Sequence, residues 1–224
     1  MSTIAERWSQ IRARVDAACA RAGRAPGEVT IIAVSKTHPV TAVREALAAG
    51  ATDFGENYAQ ELAEKRRELP DVRWHYIGRL QRNKAKLVAG QVALVHAVDT
   101  VELAQELGKR AAGGTQPVLL SVNLAGETTK GGVTGEQALE LARAVATTPG
   151  VRLDGLMTMP PPSDDPETSR PVFTALGELR DRIAASIGAP LPVLSMGMSD
   201  DFEVAIACGA THVRIGTAIF GARA

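Results

Sequence analysis

Hydrophobic positions at the start of the chain recur every three or four residues. Ile4, Trp8, Ile11, Val15 and Cys19 share one face, which predicts an amphipathic helix over 2–21. The segment GRAPGE breaks it. Beyond that point, short apolar runs alternate with longer helical patterns, the sequence form of repeated βα units around a parallel sheet. The pattern predicts strands at 29–35, 53–54, 73–77, 94–97, 118–122, 153–157, 193–194 and 213–215. Helices fall between them at about 40–49, 58–68, 82–88, 101–112, 135–147, 167–187 and 199–208. Runs such as VTIIAVS and PVLLSVN are almost continuously apolar, as expected of strands covered on both faces.

Eight strands with a helix per connection predict a single (β/α)8 TIM barrel over 1–224, with an open doubly wound sheet as the alternative. The final GTAIFGARA leaves little room for an eighth outer helix, so the N-terminal helix is expected to cover that gap. No linker or low-complexity tract divides the chain, and 224 residues suit one domain of this kind.

Charge narrows the function classes. With 25 basic and 25 acidic side chains there is no net field to attract nucleic acid. Cys19 and Cys208 sit in apolar surroundings and indicate neither a disulfide framework nor a thiolate metal site. The N-terminus lacks a basic region followed by an apolar one, and no run of about 18 apolar residues exists, so a cytoplasmic location away from membranes is expected. The histidines His38, His75, His96 and His212 lack metal-ligand spacing, and His75 is expected to be a hydrogen-bonded core residue. The segment GETTKGGVTGE at 126–136 lacks the GxxxxGK[ST] spacing and is read as a flexible βα loop in which Lys130 touches anionic ligands.

In such a barrel the chemistry sits where strands end. Lys36 ends the run IIAVS, where its stem is packed and its amine looks into the barrel mouth. Desolvation there favours the neutral amine, the form that condenses with an aldehyde, so Lys36 is a candidate Schiff-base lysine. The alternative is a lysine reaching to solvent at a strand end. Opposite it, the turn Ser195-Met196-Gly197-Met198-Ser199 and the pair Gly216-Thr217 offer hydroxyls, backbone N–H groups and a helix start near Asp200 to a phosphate. Arg214 alternates with apolar neighbours and is expected to point inward, either toward a pyridine nitrogen or into a salt bridge with Asp53 or Glu56.

Six segments, in order, resemble one family: AVSKTHP, FGENYAQE, WHYIGRLQRNK, GLMTM, LSMGMSDDFEVAI and VRIGTAIFGAR. By them the chain is identified as a member of the pyridoxal phosphate homeostasis proteins, also called the proline-synthase-associated family. The resemblance implies a fold-type III barrel like the N-terminal domain of alanine racemase, standing alone. It implies that Lys36 forms the Schiff base with pyridoxal 5′-phosphate, Asn57 lines the ring, Arg214 approaches the pyridine nitrogen, and Ser195, Gly216 and Thr217 hold the phosphate. Arg79 stands where members differ.

Three function classes remain open at this level. The first is a non-catalytic carrier of pyridoxal 5′-phosphate, acting as a monomer on the cofactor and amino acids, with pyridoxal-phosphate-dependent apoenzymes as recipients. The second is an amino-acid racemase of low activity with Lys36 as its only base; Tyr58 and Tyr76 do not match the second base by motif, and no second domain is present in the chain. The third is an aldolase that condenses Lys36 with a sugar phosphate.

Overall fold

The computed structural model describes residues 2–125 and 131–221. Eight parallel strands, β1 (Thr30–Val34), β2 (Asp53–Glu56), β3 (Arg73–Tyr76), β4 (Leu94–Val98), β5 (Gln116–Ser121), β6 (Val151–Met157), β7 (Val193–Ser195) and β8 (His212–Ile215), pair in chain order. β8 pairs back to β1, with Ile32 opposite Arg214, so the sheet closes and the open alternative is excluded.

The outer layer consists of α1 (Ile4–Arg21), α2 (Val40–Ala48), α3 (Ala59–Glu68), α4 (Val101–Arg110), α5 (Gly135–Ala146), α6 (Arg170–Ile187), α7 (Phe202–Ala207) and α8 (Thr217–Phe220). Thr3 and Glu6 form a capping box that starts α1, and its apolar face is buried at Ile4, Trp8, Ile11, Val15 and Cys19. That face lies against α2, α7 and α8, and Arg7 Nε donates to Ile219 O at 2.6 Å. α1 therefore covers the place where α8, a single turn, is too short to shield β8 and β1.

Three expected helices come out differently. The segment Arg82–Leu87 is a 310 helix rather than an α-helix. The expected 167–187 helix begins as a 310 turn, Pro166–Ser169, and becomes α6 with Pro171 in its first turn, where a missing N–H costs nothing. The expected helix start near Asp200 is a turn, because the Asp201 carboxylate takes the Met198 N–H at 2.7 Å and the Ser169 hydroxyl at 3.0 Å; α7 starts only at Phe202.

Strand alternation splits the barrel into two environments. Phe54, Trp74, Val95, Leu120, Leu156, Leu194, Val213 and Ile215 belong to the large apolar cluster shared with the helices. Inside, Leu94, Ala97, Leu119 and Met157 form a small apolar cluster. Polar groups fill much of the remaining interior: Asp53, His75, His96, Ser195 and Arg214 are all buried there, beside the apolar Ile32 opposite Arg214. No helix among the described residues is long and apolar enough to cross a membrane, and none of their His, Cys, Asp or Glu side chains group as metal ligands.

Candidate functional site

Lys36 follows β1 by two residues and is half-buried. Its main-chain surroundings are held by buried charges. Ser35 donates its hydroxyl to Glu56 Oε1 at 2.7 Å, and Lys65 Nζ donates to Ser35 O at 2.7 Å. The same ammonium bridges Glu56 Oε1 at 2.6 Å and Glu61 Oε1 at 2.7 Å, and Glu61 Oε1 in turn accepts the Thr37 N–H at 2.7 Å. Thr37 is left-handed, at φ 67°, a conformation that a β-branched residue adopts only when its surroundings impose it. Burial pushes the Glu56 carboxyl above its ordinary range, against the pull of Lys65 and the Ser35 hydroxyl. Strain and buried charge thus meet on the two residues flanking Lys36.

Arg214 is held differently. It is 6% exposed, and Nη1 donates to Ser195 Oγ at 2.7 Å while Nη2 donates to Thr158 O at 3.0 Å. Both acceptors are neutral. The salt bridges to Asp53 or Glu56 admitted by the sequence do not form: Asp53 pairs with Arg73 and His75, and Glu56 with Lys65. Burial lowers the Arg214 guanidinium to about 10, which leaves it protonated at neutral pH.

Lys36 and Arg214 line one cavity of about 200 Å³ at the C-terminal mouth of the barrel, together with Asn57, Ser199, Gly216 and Thr217. Thr217 Oγ1 donates to Ser199 Oγ at 3.3 Å, which sets two hydroxyls side by side on the rim. Gly197 supplies the bend behind them at φ +93°, and a Cβ there would lie 2.6 Å from the Ala205 Cβ. Asn57 is fixed by the close approach of Gly78, where a Cβ would come within 2.2 Å of Asn57 O. The Asn57 Oδ1 is buried and has no hydrogen-bond partner among the described residues. A second cavity of about 330 Å³ shares Asn57, Met159 and Arg214 and extends to Ser121, Gly131 and Gly132. The role expected of Lys130 falls at a position outside the described residues.

Five of the six residues singled out in the sequence thus meet at one cavity. Ser195 does not. Its hydroxyl is fully buried beneath Arg214, 2.9 Å from His96 Nδ1, and Ser199 takes its place on the rim. The expectation that His75 is a hydrogen-bonded core residue holds: Nε2 lies 2.8 Å from Asp53 Oδ1 and Nδ1 lies 3.0 Å from His96 Nε2. Tyr76 donates its hydroxyl to Asn57 O at 2.9 Å, and burial pushes it up to about 12, whereas Tyr58 is 56% exposed. Sequence reasoning missed Lys65, Glu61 and the meeting of the histidines. The strand phase carried a signal for the last, since His75 stands opposite Gly55 on β2 and Asp53, two residues before Gly55, shares its phase.

Comparison with known proteins decides the family. The family model for the alanine racemase N-terminal domain matches residues 7–224. A protein of Aquifex aeolicus named pyridoxal phosphate homeostasis protein is 47% identical, over 97% of both chains. The chain belongs to the pyridoxal phosphate homeostasis protein family. A relative of the same name in Pseudomonas aeruginosa is also 47% identical, over 100% of this chain and 97% of its own. Among solved structures, PipY of Synechococcus elongatus PCC7942 with PLP bound superposes with a TM-score of 0.86 at 34% identity, covering 98% of this chain and 100% of PipY.

Proposed function

We propose that this chain carries pyridoxal 5′-phosphate on the Lys36 amine and serves its homeostasis, storing and delivering the cofactor without committed turnover. The observation that carries the reading is Arg214: a buried guanidinium bonded, among the described residues, only to neutral oxygens, and facing the same small cavity as Lys36. A desolvated charge of this kind calls for a complementary group in the cavity. The Asn57 Oδ1, buried and without a partner among the described residues, points to the same need for a ligand.

The residues fit the cofactor. Thr217, Ser199 and the main chain at Gly216 would hold the phosphate. Arg214 would donate to the pyridine nitrogen without surrendering its proton, Asn57 would line the ring, and Ser195 would serve from beneath by holding Arg214. Pyridoxal 5′-phosphate supplies an aldehyde that condenses with primary amines and an electron-withdrawing ring. Against an arginine that ring stays a weaker electron sink than against a carboxylate, which favours carriage over carbanion chemistry. The second base that a racemase needs is not offered by the tyrosines, since Tyr76 is spent on main-chain carbonyls and Tyr58 is exposed. We place residues 1–224 in one domain, acting as a monomer in the cytoplasm, with amino acids and apoenzymes as the groups that exchange with the cofactor.

The test is borohydride reduction of the purified protein followed by peptide mass spectrometry. A phosphopyridoxyl adduct on Lys36, with loss of visible absorbance in Lys36→Ala, is the expected result. An adduct elsewhere, or a colourless protein that pyridoxal 5′-phosphate does not reconstitute, would sink the reading and return the aldolase. In deuterated buffer, Lys36-dependent exchange at Cα of amino acids well above that of the free cofactor would replace carriage with catalysis.

A further inference from the structure

The polar interior below the cavity forms one file. From the mouth inward it runs from Arg214 Nη1 to Ser195 Oγ (2.7 Å), to His96 Nδ1 (2.9 Å), from His96 Nε2 to His75 Nδ1 (3.0 Å), and from His75 Nε2 to Asp53 Oδ1 (2.8 Å). Its residues come from β8, β7, β4, β3 and β2, and all five are buried. The proposed function uses only the first of them directly.

The two ends fix the direction of the protons. Arginine has donors and no acceptor, and an ionised carboxylate has acceptors and no donor. Burial favours the neutral form of Asp53, but the hydrogen bonds from His75 and Thr52, with Arg73 nearby, hold its carboxyl below the ordinary range, so it accepts. His75 then donates through Nε2 and accepts at Nδ1, His96 donates through Nε2 and accepts at Nδ1, and Ser195 gives its single proton to His96 while accepting from Arg214. Every donor and acceptor in the file is satisfied in this arrangement. The reverse tautomers would have His96 Nδ1–H donate to Ser195 Oγ, which already accepts from Arg214, and would leave the Ser195 proton without a taker among the described residues. An imidazolium in the file would add a second cation beside Arg214, and His96 is held well below its ordinary value by burial and by His75, His212 and Arg214.

We infer that Ser195, His96, His75 and Asp53 are positioning residues for the cofactor site, a one-way hydrogen-bond chain that locks the guanidinium of Arg214 and couples it to the charge of Asp53 at the far end. With Nη1 committed to Ser195 and Nη2 to Thr158 O, the guanidinium plane is set by two elements, and its remaining N–H groups are aimed rather than free to rotate. Bonds in such a file polarise one another, so a change at Asp53 is transmitted to the group that faces the ring. The inference rests on the reading of Arg214 as the ring-nitrogen contact, but its first part stands without any cofactor.

The first experiment therefore uses the protein before cofactor is added. Long-range 15N–1H correlation spectra at pH 7 are expected to show His75 and His96 as neutral rings protonated at Nε2. A ring protonated at Nδ1, or at both nitrogens, would overturn the chain. The second loads pyridoxal 5′-phosphate labelled with 15N in its ring. Asp53→Asn keeps an acceptor beside His75 and removes the charge; it is expected to shift the ring 15N resonance and weaken cofactor binding about threefold to tenfold, with Ser195→Ala weakening it further. A ring resonance and affinity unchanged in Asp53→Asn would reject the coupling even where the tautomers hold. If the unmutated protein takes up no cofactor, the proposed function fails while the tautomer spectra still decide the chain; if Asp53→Asn does not fold, Ser195→Ala supplies the ring-shift readout.

Discussion

Lys36 and Arg214 face one cavity from neighbouring strands, β1 and β8, yet opposite means hold them. Around Lys36 the support is ionic and acts on the main chain: Lys65 and Glu61 grip Ser35 O and Thr37 N, the atoms on either side of the lysine. Around Arg214 the support is neutral and acts on the guanidinium itself through Ser195 and Thr158. The contrast matches the two tasks proposed for them. A group that forms and breaks a bond needs a rigid base beneath a side chain that can change partners, whereas a group that only donates to a ring needs its tip fixed. A full ion pair at Arg214 would have quenched the charge that the cavity is left to use.

The largest effect that separates the two sides is expected in Lys65→Met. It strands the Glu56 carboxylate, fully buried, and Glu61 beside it, and removing one member of a buried pair costs about 3–5 kcal/mol. Urea unfolding would register this, and Glu56→Gln added to Lys65→Met should return part of the loss; full additivity of the two would show that they do not interact.

Acid attacks the neutral side instead. Burial brings His212 down to about 4, with His75, Arg73 and Arg214 acting in the same sense and Asp53 against them; the His96 ring packs against it at 6.2 Å and its Nδ1 lies 3.0 Å from the Thr211 hydroxyl. The unfolded chain takes up the proton near 6.5 and the folded one does not, so stability is full above about 6.5 and falls as pH drops toward 4, by roughly 3 kcal/mol for this residue. Unfolding midpoints at pH 7 and 4.5 should differ less in His212→Gln than in the parent; equal differences would refute the assignment.

Arg214→Met sharpens the comparison from the ligand side. It removes a buried cation that has no carboxylate in contact among the described residues, so stability should change by less than about 1.5 kcal/mol in urea, while cofactor affinity falls at least tenfold, or about 1.4 kcal/mol. A stability loss as large as that of Lys65→Met would erase the distinction between the two supports. The smallest effect belongs to Thr37→Gly: relief of the left-handed strain, less the entropy of a new glycine, should stabilise the fold by about 0.5 kcal/mol in thermal unfolding.

The alternation of apolar runs and helical stretches was enough to place every strand to within a few residues, because the periods are local properties of the chain. It also placed Lys36 and Arg214 at strand ends, on the face where barrels do their chemistry. It failed where a side chain answered to something distant. Lys65 reads as one of several charges on a polar helix, Lys65, Arg66 and Arg67, yet only it is drawn under the barrel rim to Glu56. Asp200 looked like a helix start until the Asp201 carboxylate captured Met198 and Ser169.

The sequence by itself determined the eight-fold repeat, the mouth at which the functional groups gather and the family to which the motifs point, since each depends on spacing along a short stretch. Only the tertiary structure decided that His96 meets Ser195 across 99 residues, that Ser195 supports Arg214 instead of lining the rim, and that dispersed histidines join into one file. The physical reason is closure. When β8 pairs with β1, inward side chains of strands far apart in sequence are forced into the same narrow interior, and which of them touch depends on stagger and side-chain length around the ring, which no local pattern encodes.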